Sequence, residues 1–410
     1  MRPITAVVLG AGSRGDIYAS YALAHPEELE IVAVAEPRPD RLRQFAEKHQ
    51  LPPERCFTSW EALLAQPKLA DAAFVCTMDD MHTAPALQAL AQGYHILLEK
   101  PMSNSEEECR AIEAAAREVD RVMAVCHVLR YTPFYQTIKA LIDRGAIGQV
   151  CAVTQIENVG YWHQAHSFVR GNWRNSRETS PMLLQKSCHD MDILLWLVGR
   201  DCLRVSSFGS LRHFTAENAP AGAPARCLDG CPHSGSCPYY APKIYLTGKT
   251  GWPVDVVTTD LTPAGIEKAL REGPYGRCVY HCDNDVVDRQ VVELEFDGGA
   301  VGSFVMTAFT ADFSRQLKIM GTQGQIQADM GTKEIVLHPF GQEAEVIPLD
   351  MGSEASGHGG GDFGLVRDFL TVLRHGGESR SSARASLQSH LICFAAERSR
   401  LEGRVVELQQ

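Results

Sequence analysis

The chain has 410 residues, 45% of them hydrophobic and 22% charged, an ordinary globular composition and too long for one typical core. Its formal net charge of −11 at pH 7 argues against nucleic acid as the main partner, because phosphate binding needs clustered Lys and Arg. No stretch approaches the ~18 continuous apolar residues of a spanning helix, and the N-terminus lacks a charged segment followed by a long apolar one. The expectation is a soluble, cytoplasmic protein with no membrane partner.

Ile4–Leu9 is a short apolar run with the look of a buried parallel strand. Gly10-Ala11-Gly12-Ser13-Arg14-Gly15 follows at once. A helical stretch over about 15–25 comes next, then a second strand, Leu29–Ala35, ending at Glu36. Strand, glycines, helix, strand and acid in this order mark a dinucleotide-binding turn, where a lone glycine motif would not. The glycines let backbone N–H groups approach a pyrophosphate at a helix N-terminus. Gly10, Gly12, Ser13, Arg14 and Gly15 are therefore expected cofactor contacts. Glu36 lies 21 residues past Gly15, where a carboxylate can accept hydrogen bonds from ribose hydroxyls and repel a 2′-phosphate. That favours NAD over NADP, although Arg38 is close enough to soften the preference.

The alternation continues, with helices near 59–65, 82–92 and 105–119 and strands over 70–76, 94–99 and 122–127. It predicts an α/β fold with a doubly wound parallel sheet of Rossmann type. Ligand sits beyond the carboxyl ends of such strands, where Thr77, Met78, Glu99, Lys100, Cys126 and His127 fall.

Glu99-Lys100-Pro101 ends a strand some 85 residues after the glycine motif. With Cys76-Thr77-Met78 and His82, Leu129-Arg130-Tyr131-Thr132-Pro133, and the run His189 to Gly199 (HDMDILLWLVG), the chain resembles the Gfo/Idh/MocA family, the glucose–fructose oxidoreductase and inositol dehydrogenase relatives. The resemblance implies a Rossmann domain over 1–127. It also implies a substrate-binding domain over 128–410, an α+β unit with a large open, mainly antiparallel sheet and a Cys-rich insertion near 212–285. That sheet commonly forms the oligomer interface in the family, so a homo-oligomer, dimer or tetramer, is expected. The resemblance further implies Thr77, Met78, Glu99, His82 and His127 against the cofactor, and Arg130 and Tyr131 toward the substrate.

The second half agrees in pattern. The runs Val150–Asn158, 203–209, 287–296, 300–309, 316–320, Gly324–Asp329 and 334–338 read as strands. Helices over about 363–373 and 382–400 close the chain.

Oxidising a secondary alcohol needs a base for the hydroxyl proton and a cationic or donating group for the developing alkoxide. The resemblance gives Lys100 to substrate positioning and proton relay, Glu99 to its orientation, and His189 to the base. The family usually places Asp four residues before this His; here the position is Gln185, beside Lys186. Gln cannot accept a proton. Lys186 would add positive charge near Lys100, depress one ammonium pKa and supply a base, or hold an anionic sugar. The expected reaction is hydride transfer between NAD and a secondary hydroxyl of a sugar, sugar derivative or cyclitol. Two alternatives stay open. One is a redox glycosidase, which oxidises a ring hydroxyl, eliminates the glycosidic oxygen, adds water and returns the hydride. The other is a sugar sensor without catalysis.

Cys227, Cys231 and Cys237 lie in a Pro/Gly-rich insertion, followed by Cys278 and Cys282. Such a loop buries little core, and a metal is a natural staple. The expected ligands are Cys227, Cys231 and Cys237 with Cys282 or Cys278 as the fourth, and His233 as a weaker candidate. Structural zinc and an iron–sulfur cluster use the same thiolates. The pairs Cys126-His127 and Cys188-His189 read as polar lining of the cofactor pocket, with a catalytic zinc as the alternative. Arg170, Trp173 and Arg174, before the His189 helix, suit sugar or carboxylate contacts. Gly357 to Asp362 suggests close backbone approach to ligand, with His358 reaching the substrate.

Overall fold

The computed structural model describes residues 2–349 and 358–408; Gly357 of the late glycine run lies outside them. Strands β1 (Ile4–Leu9), β2 (Leu29–Ala35), β3 (Cys56–Phe57), β4 (Ala72–Val75), β5 (His95–Leu98) and β6 (Met123–Val125) form one sheet in the order β3-β2-β1-β4-β5-β6. Every pairing in it is parallel. All four residues of β4 are buried, as a strand covered on both faces requires. The order reverses between β1 and β4, which is where such a sheet opens a crevice for ligand.

The second sheet contains β7 (Val150–Asn158), β8 (Cys202–Ser210), β9 (Arg289–Phe296), β10 (Val301–Thr307), β11 (Ser314–Gly321), β12 (Gly324–Asp329), β13 (Glu334–Pro339), β14 (Glu345–Val346) and β15 (Val406–Glu407). Its order is β14-β13-β12-β11-β7-β10-β9-β8-β15. It is antiparallel except for the β7–β10 pair. Along β7, Val153, Gln155 and Glu157 are buried while Thr154 and Ile156 are exposed. This period-2 alternation gives one face to the core and leaves the other open.

The helix Met182–Val198 lies under the buried face, with Met191, Leu194 and Leu197 in the core that also holds Val153, Phe304 and Leu317. The chain's last two long helices return to the first sheet. Leu365, Val366, Phe369 and Leu370 of Gly361–His375 pack with Val8 and Phe74 on one face. Leu387 and Leu391 of Ala383–Glu402 pack with Val7, Val75 and Leu98 on the other. The first sheet therefore draws part of its core, on both faces, from the C-terminal helices. No described helix is long and apolar enough to cross a membrane.

The insertion folds onto two small cores. One gathers Phe214, Tyr239, Cys278 and Tyr280, the other Cys227, Tyr245, Leu270 and Tyr275. The helices Ala241–Tyr245 and Pro263–Glu272 are its main regular elements.

Candidate active site

β1 delivers the chain into a turn that only glycine permits. Gly10 has φ +95°, and a Cβ there would collide with the Cys76 carbonyl. A Cβ on Gly15 would strike the Gly10 carbonyl, so the helix Ser13–Ala19 can sit directly on the turn. Beside Gly12 a Cβ would meet only the far end of Arg41, at 3.5 Å. These are the tight turn, the close helix packing and the open approach that a pyrophosphate requires. Glu36 ends β2 beside this loop, buried, accepting from the Ala11 N–H (2.9 Å) and the Arg38 N–H (3.0 Å). A carboxylate has lone pairs beyond these two bonds, so ribose hydroxyls remain within its capacity. The Arg38 side chain is exposed. The cradle fits a dinucleotide with unphosphorylated adenosine ribose.

Thr77 and Met78 follow β4, and Glu99 and Lys100 follow β5, as parallel-strand ends. Glu99 accepts from Arg14 Nε (2.8 Å), Tyr18 OH (2.8 Å) and the Lys100 N–H (2.6 Å). Burial works to raise its pKa, but Arg14 and Lys100 hold it below the usual carboxylate range. Arg14 also binds Asp362 and Tyr18 and approaches His358 (3.4 Å). Its guanidinium thereby ties the glycine loop to the late helix rather than standing free for phosphate. Lys100 Nζ donates to the Gln185 carbonyl (2.8 Å), so the two domains meet at this lysine. His82 is buried and bridges the Pro101 carbonyl (2.7 Å) and the Thr77 carbonyl (3.0 Å). Its expected cofactor role is corrected to holding the two strand-end loops together.

His189 is buried in the helix Met182–Val198, its ring 5.7 Å from that of His127 and 6.2 Å from that of His358. Burial, then Lys100, His127 and His358, press its pKa well below the ordinary imidazole range. His127 is pressed down in the same way, by burial and then Arg130 and Lys100. Neither His127 Nδ1 nor His189 Nδ1 has a hydrogen-bond partner among the described residues. A neutral imidazole beside a lysine can take a proton from a hydroxyl whose oxygen the ammonium stabilises.

Gln185 is buried where the carboxylate is missing. Lys186 does not stand as a second free ammonium. Its Nζ lies 3.0 Å from Glu157 Oε1 and 4.5 Å from the centre of the Phe313 ring. Glu157 also pairs with Arg315 (2.9 Å), which binds Asp190 (2.7 Å). Burial lowers the Lys186 pKa and raises that of Glu157. The sequence reading missed Glu157, Arg315 and Asp190. A buried charge on an inward strand position was the one available signal.

Three expected substrate contacts are engaged elsewhere. Arg130 is buried and grips Asp192 through two bonds of 2.7 Å. The Tyr131 hydroxyl is buried against Ser381 (2.9 Å) and Asp368 (3.2 Å). Arg170 is fully buried at the end of a helical segment, donating to the carbonyls of Arg277 (2.7 Å) and Tyr239 (2.6 Å). Each is a corrected assignment: the side chain turns into the fold and bonds buried partners there rather than facing a sugar. Trp173 keeps a place at the cleft, with Nε1 3.4 Å from Asp79 Oδ1 just past Met78.

The insertion contributes what the sequence did not suggest. The half-exposed Trp252 packs its ring 5.0 Å from His163, which faces Phe313 at 4.9 Å, and Phe313 lies under Lys186. Asp255 and Tyr275 of the insertion stand within electrostatic reach of Arg41 beside the glycine loop.

Cys227, Cys231, His233, Cys237 and Cys278 line one small cavity; Cys282 does not, and its thiol donates to the Cys278 carbonyl (3.3 Å). Of the two candidates for fourth ligand, Cys278 is the one the fold places with the others. Among the described residues, the one group of three ligand atoms within 4.8 Å of one another is His25, Glu27 and Glu28, so the Cys-His pairs at the cleft do not converge on an ion.

The family model described as oxidoreductase family, NAD-binding Rossmann fold, matches residues 4–127, and that for the oxidoreductase family C-terminal alpha/beta domain matches 139–408. YteT of Bacillus subtilis (strain 168), an oxidoreductase by name, is 28% identical over 317 residues, covering 73% of this chain and 72% of its own. Inositol 2-dehydrogenase of Burkholderia cenocepacia (strain HI2424) is 28% identical over 196 residues, 47% of this chain and 54% of its own. In fold, the chain matches levoglucosan dehydrogenase in complex with NADH and L-sorbose, with TM-score 0.75 and 19% identity over all of both chains. It also matches the WlbA dehydrogenase of Bordetella pertussis in complex with NADH and UDP-GlcNAcA, with TM-score 0.71 and 20% identity over 100% of this chain and 99% of that one.

Proposed function

The chain belongs to the Gfo/Idh/MocA oxidoreductase family, and from that premise we propose that it moves hydride between NAD and a secondary hydroxyl of a sugar, sugar derivative or cyclitol. The observation that carries the reading is the meeting of Lys100 and a neutral, buried His189 at the ends of the strands that also build the glycine cradle. The sugar-handling names among the relatives and fold neighbours support the substrate class.

When bound, NAD supplies the hydride acceptor, held by Gly10, Gly12, Gly15 and Glu36. His189 takes the hydroxyl proton at its imidazole. Lys100 presents its ammonium to the oxygen as negative charge develops there. Gln185 fixes that ammonium through its backbone carbonyl, so the missing carboxylate side chain does not leave Lys100 unheld. Lys186, paired with Glu157, braces the helix that carries His189 against β7 rather than offering a second free cation to the sugar. Trp173 and Trp252 offer apolar faces for a ring to stack on and keep water out.

The redox-neutral glycosidase is a second reading, favoured by one observation: Asp255 and Tyr275 of the insertion stand within electrostatic reach of Arg41, whose side chain lies beside Gly12 of the cofactor loop, a proximity that suits a retained cofactor. Purified protein supplied with NAD and a panel of sugars, cyclitols and glycosides separates the two. Steady NADH formation supports the dehydrogenase. Aglycone release without net NADH supports the glycosidase. Ligand binding with neither signal would leave the sensor.

The exposed Phe208, Ile156 and Val301 on the open sheet face support self-association through that face. Sedimentation of the wild type against Ile156→Glu tests it, and a monomeric wild type would refute it.

A further inference from the structure

Arg170 is a cation buried without a counter-ion. It has 0% relative exposure and makes no ion pair with a carboxylate among the described residues. Its bonds go to the Arg277 and Tyr239 carbonyls, and its Nη1 has no partner among the described residues. Asp283 of the insertion is already taken by Arg174 (2.8 Å) and Arg277 (2.7 Å). Beside the Tyr245 hydroxyl, what the guanidinium faces is sulfur. Its Nη2 points at Cys227 Sγ at 3.6 Å, and it borders the cavity lined by Cys227, Cys231, Cys237 and Cys278. If those thiols were neutral, a desolvated guanidinium would stand uncompensated, an arrangement folded proteins avoid.

We propose that Cys227, Cys231, Cys237 and Cys278 bind a thiophilic metal as a structural centre, with Arg170 as its buried counter-cation. Four thiolates carry four negative charges, so a divalent ion among them leaves a net charge of minus two facing the guanidinium. Binding releases the four thiol protons to solvent. The Ala241 N–H also donates to Cys227 Sγ (3.4 Å), so this sulfur accepts from a backbone amide as well as facing the guanidinium. A cavity of about 20 Å³ has room for one ion. No three of these sulfurs lie within 4.8 Å of one another, whereas a tetrahedral zinc site draws its sulfurs to roughly 3.8 Å. Zinc therefore pulls the loop inward on binding, and an iron–sulfur cluster, which spaces its cysteines more widely, is the other occupant of the same chemistry.

The centre has structural reach. Cys227 belongs to the small core with Tyr245 and Tyr275, Cys278 to the one with Tyr239 and Phe214. A metal joining them locks together the two halves of the segment that carries Trp252 and Tyr275 to the cleft.

The test is metal analysis of the full chain purified without chelator, under air and anaerobically. About one equivalent of zinc, or iron with acid-labile sulfide, supports the centre and names its metal. Cys237→Ser and Cys278→Ser should each lose more than nine-tenths of it, while Cys282→Ser keeps it. Arg170→Met should speed loss of metal to a chelator at least tenfold. Because the serine variants can misfold, wild type is also treated with chelator and probed by limited proteolysis, where new cuts within 212–285 are expected and re-addition of the metal should suppress them. Folded wild type free of zinc and iron under both conditions would overturn the proposal. So would Cys282→Ser losing metal as completely as Cys278→Ser.

Discussion

Lys186 Nζ lies 3.0 Å from Glu157 Oε1, joining the helix that carries His189 to the inner face of β7. Glu157 has no exposure at all and Lys186 little. Removing one member of a buried pair strands the other charge, at a cost of about 3–5 kcal/mol. Glu157→Gln is therefore expected to lower unfolding free energy by that order, seen as a lower urea midpoint. Lys186→Met should cost less, because Glu157 keeps Arg315 at 2.9 Å. Equal losses would mean that the pair is not the unit described.

The acid limb of activity follows from His189. Its pKa is driven well below the ordinary imidazole range by burial, then by Lys100, His127 and His358. The neutral, proton-accepting form therefore persists as pH falls through the ordinary value of about 6.5. kcat/KM should stay level across that value and decline only in more acid solution. Lys100→Met removes the largest neighbouring charge, so its residual activity should show an acid limb shifted upward. A wild-type limb at the ordinary value would place the base elsewhere.

Stability should follow other buried histidines, with the opposite sensitivity. His166 and His390 are pushed down to about 3, chiefly by burial, and His127 and His163 are depressed by burial as well. Above about pH 6.5 both folded and unfolded forms of these groups are neutral, and they contribute no pH dependence. As pH falls below that value the unfolded chain takes up protons that the native one refuses. Each group then removes up to about 1.4 kcal/mol per pH unit until its folded pKa is reached. Urea midpoints measured at neutral pH and about one unit below the ordinary imidazole value should differ clearly; an unchanged midpoint would contradict the neutral assignment.

Much of this site is legible in the chain because its constraints are local. Gly10, Gly12 and Gly15 answer to backbone sterics within one turn, and Glu36, Glu99 and Lys100 fall at strand ends that hydrophobic runs mark out. What hides is pairing over distance. Asp190 and Arg315 meet across 125 residues, and Arg14 reaches Asp362 across 348; no periodicity encodes such partners. Arg130, Tyr131 and Arg170 mislead for a related reason. Nearness in sequence to the cleft does not say which way a long polar side chain turns, and all three turn to buried partners. Trp252 comes from a segment with little periodicity, so nothing short of its packing against His163 could place it at the cleft.

We propose that Glu36 sets the cofactor preference. Its carboxylate is buried at the end of β2 and braced by the Ala11 and Arg38 amides, in a position to repel a ribose phosphate. Wild type is expected to favour NAD over NADP by at least tenfold in kcat/KM, and Glu36→Ser, with Arg38 retained, should erase most of that difference. A wild type indifferent to the phosphate would remove the argument.

The central claim is that Lys100 and His189 act together on a hydroxyl beside NAD. The most direct measurement is single-turnover formation of reduced nicotinamide, followed by absorbance, when protein loaded with NAD meets each member of a sugar and glycoside panel. Wild type should form reduced nicotinamide with at least one compound, lasting if net oxidation occurs and transient if the hydride returns. Lys100→Met and His189→Ala should bind the cofactor and slow that step by about 10²-fold or more. A signal of wild-type speed in either variant, or none with any compound in protein that binds NAD, would contradict the account.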